Sequence, residues 1–353
     1  MEPKILSKEA LAIAGVSGSG NKTGEVWKKF MELNRTNPLK NKEGKEEYEI
    51  RMYPGEGPGE VHIGMSVKNA SVPAEYKIFF LPASLYAEFE IYPSKGWESS
   101  NAEMDKWLSN NAAVYTQSRM GNMKYVVEVY DDRFKGENDP DSVVNMLIPL
   151  TKTDIYDMGK IIAEQTEELA KQIEKFAGAE VRAKVMTGSD AAAATFDPVK
   201  RAPWYKEVID RLDAINDDEI RRQILTACGQ HCQSVFSKEM EDARDRRRFF
   251  ITEEEFLAYE LQPPPGTGVR FEREGNIIYN YYTPRQYGEG MRCYCYLIGG
   301  LPGDVTASPT YCQCSRAWIQ KYWEGALGRP VRVELGETAI SSRVDECKFI
   351  IHL

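Results

Sequence analysis

The chain of 353 residues carries 54 acidic against 45 basic side chains, a formal charge of −9, with 42% hydrophobic and 28% charged residues. That length predicts two domains, each able to bury a core without disulfide staples. The acidic balance excludes a dedicated nucleic-acid surface, which needs a basic stripe to displace phosphate counterions, so no direct nucleic-acid partner is expected.

In chain order, residues 11–16 read as a strand leading into an amphipathic helix over 26–33, followed by strands at 48–53 and 61–65. The same order recurs as a strand over 85–91, a helix around 104–108 and strands at 125–130 and 143–149. Residues 1–150 are thus two β-α-β-β units, and neither would bury its apolar face alone, so pairing about a pseudo-twofold is expected. Gly15-Val-Ser-Gly-Ser-Gly-Asn-Lys-Thr23 nearly spells a phosphate-binding loop, but Asn21 separates Gly20 from Lys22 and displaces the lysine. It is read as a flexible glycine loop, with no nucleotide as cofactor.

Residues 151–200 read as a connector. Ile155, Met158, Ile162, Leu169, Ile173 and Phe176 form a helical stripe that docks on a domain or, alternatively, makes a homodimer seam, and 188–198 reads as a linker. Residues 201–353 open with helices: Trp204, Val208, Leu212 and Ile215 share a face, and Asn216 to Glu219 is a second capping pattern. Arg244 to Arg248 follows an acidic stretch and reads as a solvated helix C-terminus. A hairpin over 269–282 turning at Glu274-Gly-Asn276, a strand at 291–298, a helix at 315–327 and strands near 331–337 and 345–353 complete an α+β chain. No N-terminal stretch resembles a signal peptide and no run approaches the ~18 apolar residues of a membrane span. No membrane partner is therefore expected, and the expected compartment is a reducing cytoplasm.

Strand alternation places Tyr125, Val127 and Val129 on one face, suited to the helices, and Val126, Glu128 and Tyr130 on the other. Glu128 is then expected to point away from the helices into a cleft between the repeats, with Arg51 as its counterpart in the first copy. One reading is a Glu128–Arg51 ion pair on a solvated sheet face. The other is a carboxylate in a cleft lined by Tyr53, Tyr86, Phe89, Trp97 and Tyr130, suited to a cationic or aromatic small molecule.

All seven cysteines follow residue 227: Cys228, Cys232, Cys293, Cys295, Cys312, Cys314 and Cys347. Two Cys-x-Cys pairs could supply four metal ligands, or one pair could join Cys228 and Cys232; zinc would be the expected ion, ahead of iron–sulfur. Structural thiols and redox or catalytic chemistry are the alternatives, and a Cys/His dyad would have to use His231. Cys293 and Cys295 are expected on a strand face with Leu297. Cys347, alternating with Phe349 and Ile351, is expected to be a core thiol.

The duplicated β-α-β-β pattern, Pro82-Ala-Ser-Leu-Tyr-Ala-Glu-Phe89, Trp107-Leu108, Val127-Glu-Val-Tyr130 and Ile148-Pro149-Leu150 together resemble the GyrI-like, or AraC-type, effector-binding domain over about residues 1–150. The resemblance implies a small-molecule-binding fold, found in drug-responsive regulators and as a stand-alone module, with Glu128 and Tyr130 as its ligand-facing pair. Some members hydrolyse reactive cyclopropane-containing compounds through the acid. No helix-turn-helix precedes the module here, which argues against DNA binding. Cys228-Gly-x-x-Cys232, Cys293-x-Cys295, Cys312-x-Cys-Ser315 with Trp318, and Pro330 to Glu334 resemble the cysteine-rich 4-vinyl reductase-like group over about 204–353, which implies a small-ligand or metal-associated module. The leading expectation is a small-molecule sensor or carrier. The alternatives are a hydrolase with Glu128 as general base, and a cysteine-based metal or redox enzyme.

Overall fold

The computed structural model describes residues 1–353 except 122, 154–156, 190–194, 196, 264–266 and 285–291. The chain divides into two compact units, one of residues 1–156 with 245–253, the other of 157–244 with 254–353. Among the described residues no helix is long and apolar enough to cross a membrane.

The first unit contains both expected repeats. One runs β2 (Leu11–Ser19), α1 (Thr23–Thr36), β3 (Lys42–Tyr53) and β4 (Glu60–Val67), after a short β1 (Lys4–Lys8). β5 (Lys77–Leu81) leads to the other: β6 (Ser84–Ile91), α2 (Trp97–Asn110), the short β7 (Tyr115–Gln117) and β8 (Arg119–Met120), β9 (Met123–Tyr130) and β10 (Val144–Lys152). The strands form one sheet in the order β1-β6-β10-β9-β3-β4-β2-β5, with every pairing antiparallel.

That order forces curvature. β5 and β6 lie six steps apart across the sheet, about 29 Å if it were flat, yet only Pro82 and Ala83 join them, a reach of roughly 11 Å. The sheet therefore curls into a half-barrel. A cluster built from strand residues, with Ile13, Ile50, Leu81, Tyr86, Tyr125 and Val127 at its centre, fills one face. The other face carries the helices: α1 lays Val26 and Phe30 on Ala12, Ala14, Val61 and Ile63, and α2 lays Met104 and Trp107 on Phe89, Met146 and Ile148.

Two expectations change here. Tyr125, Val127 and Val129 face the strand-only cluster rather than the helices, so the Val126–Glu128–Tyr130 face is the helix-bearing one. The helices lie chiefly over the outer strands of each repeat and leave a cavity above the central pair β3/β9, where polar side chains occur. The glycine run also differs from the expected loop: Gly15 to Ser19 belongs to β2, and only Gly20 to Lys22 form a short turn into α1.

Residues 245–253 complete the first unit. Phe249 is buried in the α1 cluster, its carbonyl accepts the Ala70 amide at 2.8 Å, and Phe80 packs on Phe249 and Phe250.

The second unit holds α3 (Met158–Ala177), α4 (Ala179–Val185), α5 (Pro198–Asp213), α6 (Asp218–Val235), α7 (Lys238–Arg247, which reaches into the first unit's segment), α8 (Glu253–Glu260) and α9 (Gln313–Leu327). A four-stranded antiparallel sheet in the order β11 (Val269–Glu274), β12 (Ile277–Tyr282), β14 (Cys347–His352), β13 (Arg332–Leu335) completes it. The connector helix is part of this core: Ile162, Leu169 and Ile173 are buried, and Leu169 and Ile173 pack in the unit's main cluster. Met158 is exposed, and Ile155 lies outside the described residues. The hairpin turns at Gly275 as expected (φ +59°), and α9 ends on left-handed Gly328. α5 begins at Pro198, capped by Asp197, rather than at Pro203, which lies inside it. Arg244 to Arg247 fall at the end of α7, as expected for the basic cluster.

Candidate functional site

β3 and β9 sit side by side at the centre of the first unit, with Ile50 opposite Val127. That pairing marks the local twofold between the repeats. One residue to either side of it, the register sets Glu49 opposite Glu128 and Arg51 opposite Val126. Both carboxylates are buried, at 1% and 4% exposure. They form the floor of a cavity of about 680 Å³ between α1 and α2, walled by Trp27, Tyr53, Trp97, Leu108, Tyr130 and Met146.

One guanidinium serves both acids. Arg51 Nε donates to Glu128 Oε1 at 3.0 Å, and its Nη2 forms an ion pair with Glu49. The Tyr130 hydroxyl donates to Glu128 Oε2 at 2.6 Å, so both oxygens of Glu128 accept a hydrogen bond. The Trp27 indole donates to Glu49 Oε2 at 2.5 Å, whereas Glu49 Oε1 touches the guanidinium without the geometry of a hydrogen bond. Burial and the facing Glu128 charge push the Glu49 carboxyl up to about 7, against the pull of Arg51 and of the Trp27 bond. Burial, then Glu128 and Glu49, push the Tyr130 phenol far up, so it remains a donor.

Of the residues expected around the ligand, Glu128, Tyr130, Trp97 and Tyr53 do line this cavity. Tyr86 and Phe89 do not. Tyr86 is fully buried in the strand-only cluster, and Phe89 is buried beneath α2 against the Trp107 ring. Glu49 and Trp27 are the components that the sequence reading missed. Tyr48-Glu-Ile-Arg-Met-Tyr53 already puts Glu49 and Arg51 on one face; only the register across the twofold reveals that Glu49 meets Glu128. His62 is a core residue: burial lowers it to about 4, Ser17 Oγ lies 2.9 Å from Nδ1 and the Ile13 carbonyl 3.1 Å from Nε2.

The cysteines all lie in the second unit and all seven are free thiols. Cys228, Cys293 and Cys312 are in its apolar core, with Cys295 and Cys314 packed against it. Cys293 and Cys295 lie outside any strand, just before a run of turns at 296–300. The expected strand at 291–298 is therefore absent among the described residues; residue 291 lies outside them. Cys347 is the expected core thiol on β14 and accepts the Ala339 amide at 3.3 Å. Cys312 Sγ donates to Thr338 Oγ1 at 3.2 Å, and Cys295 Sγ lies 2.9 Å from the Tyr311 hydroxyl.

Burial raises every one of these thiols, with Cys232 and Cys312 reaching about 12. Among the described residues no group of three or more His, Cys, Asp or Glu side chains is arranged to hold a metal ion. The six cysteines considered as ligands (293, 295, 312, 314, 228 and 232) form no such group, and no chemistry is derived through a zinc centre. The His231 Nε2 atom is buried without a hydrogen-bond partner, so the alternative of a Cys/His dyad is not formed through that nitrogen. At pH 8 the thiols should react slowly with a disulfide reagent and rapidly once the protein is unfolded in guanidinium. A thiol that reacts at once in the folded protein would contradict the burial described.

No family model and no curated protein matches the chain. Solved structures align with less than half of it. SAV2435 bound to tetraphenylphosphonium is 16% identical, covering 45% of this chain and 99% of its own, with a TM-score of 0.35. The EcmrR C-terminal domain is 10% identical, with coverage of 43% and 98% and a TM-score of 0.35. A hydrolase from Listeria innocua is 11% identical, with coverage of 42% and 92% and a TM-score of 0.28.

Proposed function

We propose that the first unit is a receptor for a bulky, aromatic-bearing organic cation, held over the Glu49–Arg51–Glu128 floor and stacked on Trp27, Trp97, Tyr53 and Tyr130. The observation that carries this reading is the charge of the cavity. Its lining has four carboxylates, Glu49, Asp105, Glu128 and Glu137, against two cations, Arg51 and Lys124. Two of those acids are buried and share a single arginine. An uncompensated negative charge inside an aromatic wall attracts a weakly hydrated cation, which loses little on leaving water and gains cation–π contact. Neither an anion nor a neutral sugar matches that field.

Tetraphenylphosphonium, the ligand named with SAV2435, carries one delocalised charge and four rings, and serves as the test compound. Titration calorimetry should show saturable binding. Glu128→Gln should weaken it by about 10- to 100-fold, the range of a buried charge-assisted contact, with the circular dichroism spectrum unchanged. Unaltered affinity in that variant, or equal binding of uncharged triphenylphosphine oxide, would remove Glu128 from the site.

Base catalysis on water by Glu128 is the less favoured reading. Its two oxygens already accept from Arg51 and Tyr130, and both donors draw charge from the carboxylate a general base would need.

A further inference from the structure

In the cation-binding reading Glu49 counts only as one of the four acids of the lining, yet its position beside Glu128 asks for a role of its own. It is as buried as Glu128 and lies directly across the strand pair, about 5 Å away at Cα for such neighbours. Two carboxylates that close, with one guanidinium between them, cannot both stay ionised at low cost unless a second positive charge arrives. Among the described residues the groups around Glu49 offer none beyond Arg51. Along β3 it has Glu47 and Arg51, and across on β9 Glu128 and the neutral Tyr130 phenol. From α1 comes only the Trp27 N–H, and its partner on β4 is Ile63. Elsewhere in the cavity wall, Lys124 is offset by Asp105 and Glu137. Glu49 Oε2 is taken by the Trp27 indole, and Oε1 lies against the Arg51 guanidinium, the cation that Glu49 already shares with Glu128.

We propose that Glu49 is the proton-exchanging second acid of this site: an organic cation enters the cavity as a proton leaves Glu49, so that ligand uptake and proton release are one event. The balance is simple. The Glu49 O–H bond breaks, the proton passes to solvent, and the carboxylate so formed is neutralised by the bound cation. The floor keeps the same net charge before and after. The inference rests on the cation-receptor reading and adds to it a rule for when the receptor fills. Burial and the Glu128 charge place the exchange near neutral pH. Below that point each unit of acidification should cost close to tenfold in affinity, because one proton must be expelled per ligand; above it the affinity should level off.

The test uses the full chain and tetraphenylphosphonium, whose charge does not titrate. Calorimetry at pH 6 in buffers of different ionisation enthalpy should count close to one proton released per ligand. Affinity should rise steeply from pH 5 to 7 and flatten by pH 8. Glu49→Gln should release no proton, bind with no slope over that range, and bind more weakly than the parent at pH 8. A ligand-free readout separates the two ideas. The Trp27 indole N–H resonance, identified by its loss in Trp27→Phe, should shift with pH near neutrality and stop doing so in Glu49→Gln. Binding without proton release would overturn the exchange and leave the receptor standing. An indole resonance that does not move between pH 5 and 9 would overturn it whatever the ligand does. Failure of tetraphenylphosphonium to bind at pH 8 would end both.

Discussion

Arg51→Met should lose on the order of 3 kcal/mol of stability at pH 8 and recover most of that loss at pH 5. Removing the guanidinium leaves two buried carboxylates facing each other with no cation between them. The loss is smaller than for a fully enclosed pair, because 30% of the Arg51 side chain reaches water. Acidification repairs it by a route open to carboxylates alone: the pair takes up protons. The parent already has this sign. Glu49 is raised above its unfolded value, so its contribution is fully present below the ordinary carboxylate range and is lost as pH rises through about 7. The variant should steepen that slope. Urea midpoints at pH 5 and pH 8 measure it, and an equal loss at both would mean that Arg51 acts by packing rather than by charge. The same variant should bind tetraphenylphosphonium more tightly than the parent at pH 8, since the cation then replaces the missing arginine.

The second large effect belongs to Gly15. It pairs with Gly64 where β2 crosses β4, and the two backbones approach so closely that a Cβ on Gly15 would lie 1.9 Å from the Ile63 carbonyl oxygen. The obstacle is backbone, held by the ladder on both sides, so no side chain can swing away. Gly15→Val should therefore unfold the first repeat, at a cost above about 4 kcal/mol, and abolish cation binding. Gly24→Ala is the control. Nothing lies within 4 Å of its added carbon, and the helical position should become neutral to slightly more stable, by up to about 1 kcal/mol. Thermal melts of the two variants decide the matter, and similar melting temperatures would show that the strands can part without penalty.

Much of the first unit was legible because a duplication repeats its own evidence. Two copies of a strand–helix–strand–strand pattern fixed the element order, and period-two alternation put Glu128 and Tyr130 on one face. What failed was the third dimension. Tyr86 and Phe89 stand three apart on β6, an odd spacing that sends them to opposite faces, so both could never line one cleft. Glu49 needed the register, which no single strand contains. With the axis known to pass through Ile50 and Val127, its meeting with Glu128 follows by counting. The side taken by the helices was obscured because the opposite face is equally apolar. In the second unit, clustered cysteines invited a metal reading, yet a Cys-x-Cys pair says nothing of whether its backbone is strand or turn. Cys293 and Cys295 precede a turn and enter the core with the others. The return of 245–253 to the first unit has no local signal at all; Phe249 finds its place through tertiary packing alone.

The twofold through Ile50 and Val127 also bears on the selectivity of the proposed receptor. Four positions, 49, 51, 126 and 128, form a closed square on the floor of the cavity, and the axis exchanges them in pairs. Here they read Glu, Arg, Val and Glu. Their neighbours Ile50 and Val127 hold the opposite face, so the square can be rewritten without disturbing that packing. On the cation-receptor reading proposed above, these four positions act as a lock with four tumblers: drift at any one resets the charge admitted, while the frame that carries them stays the same.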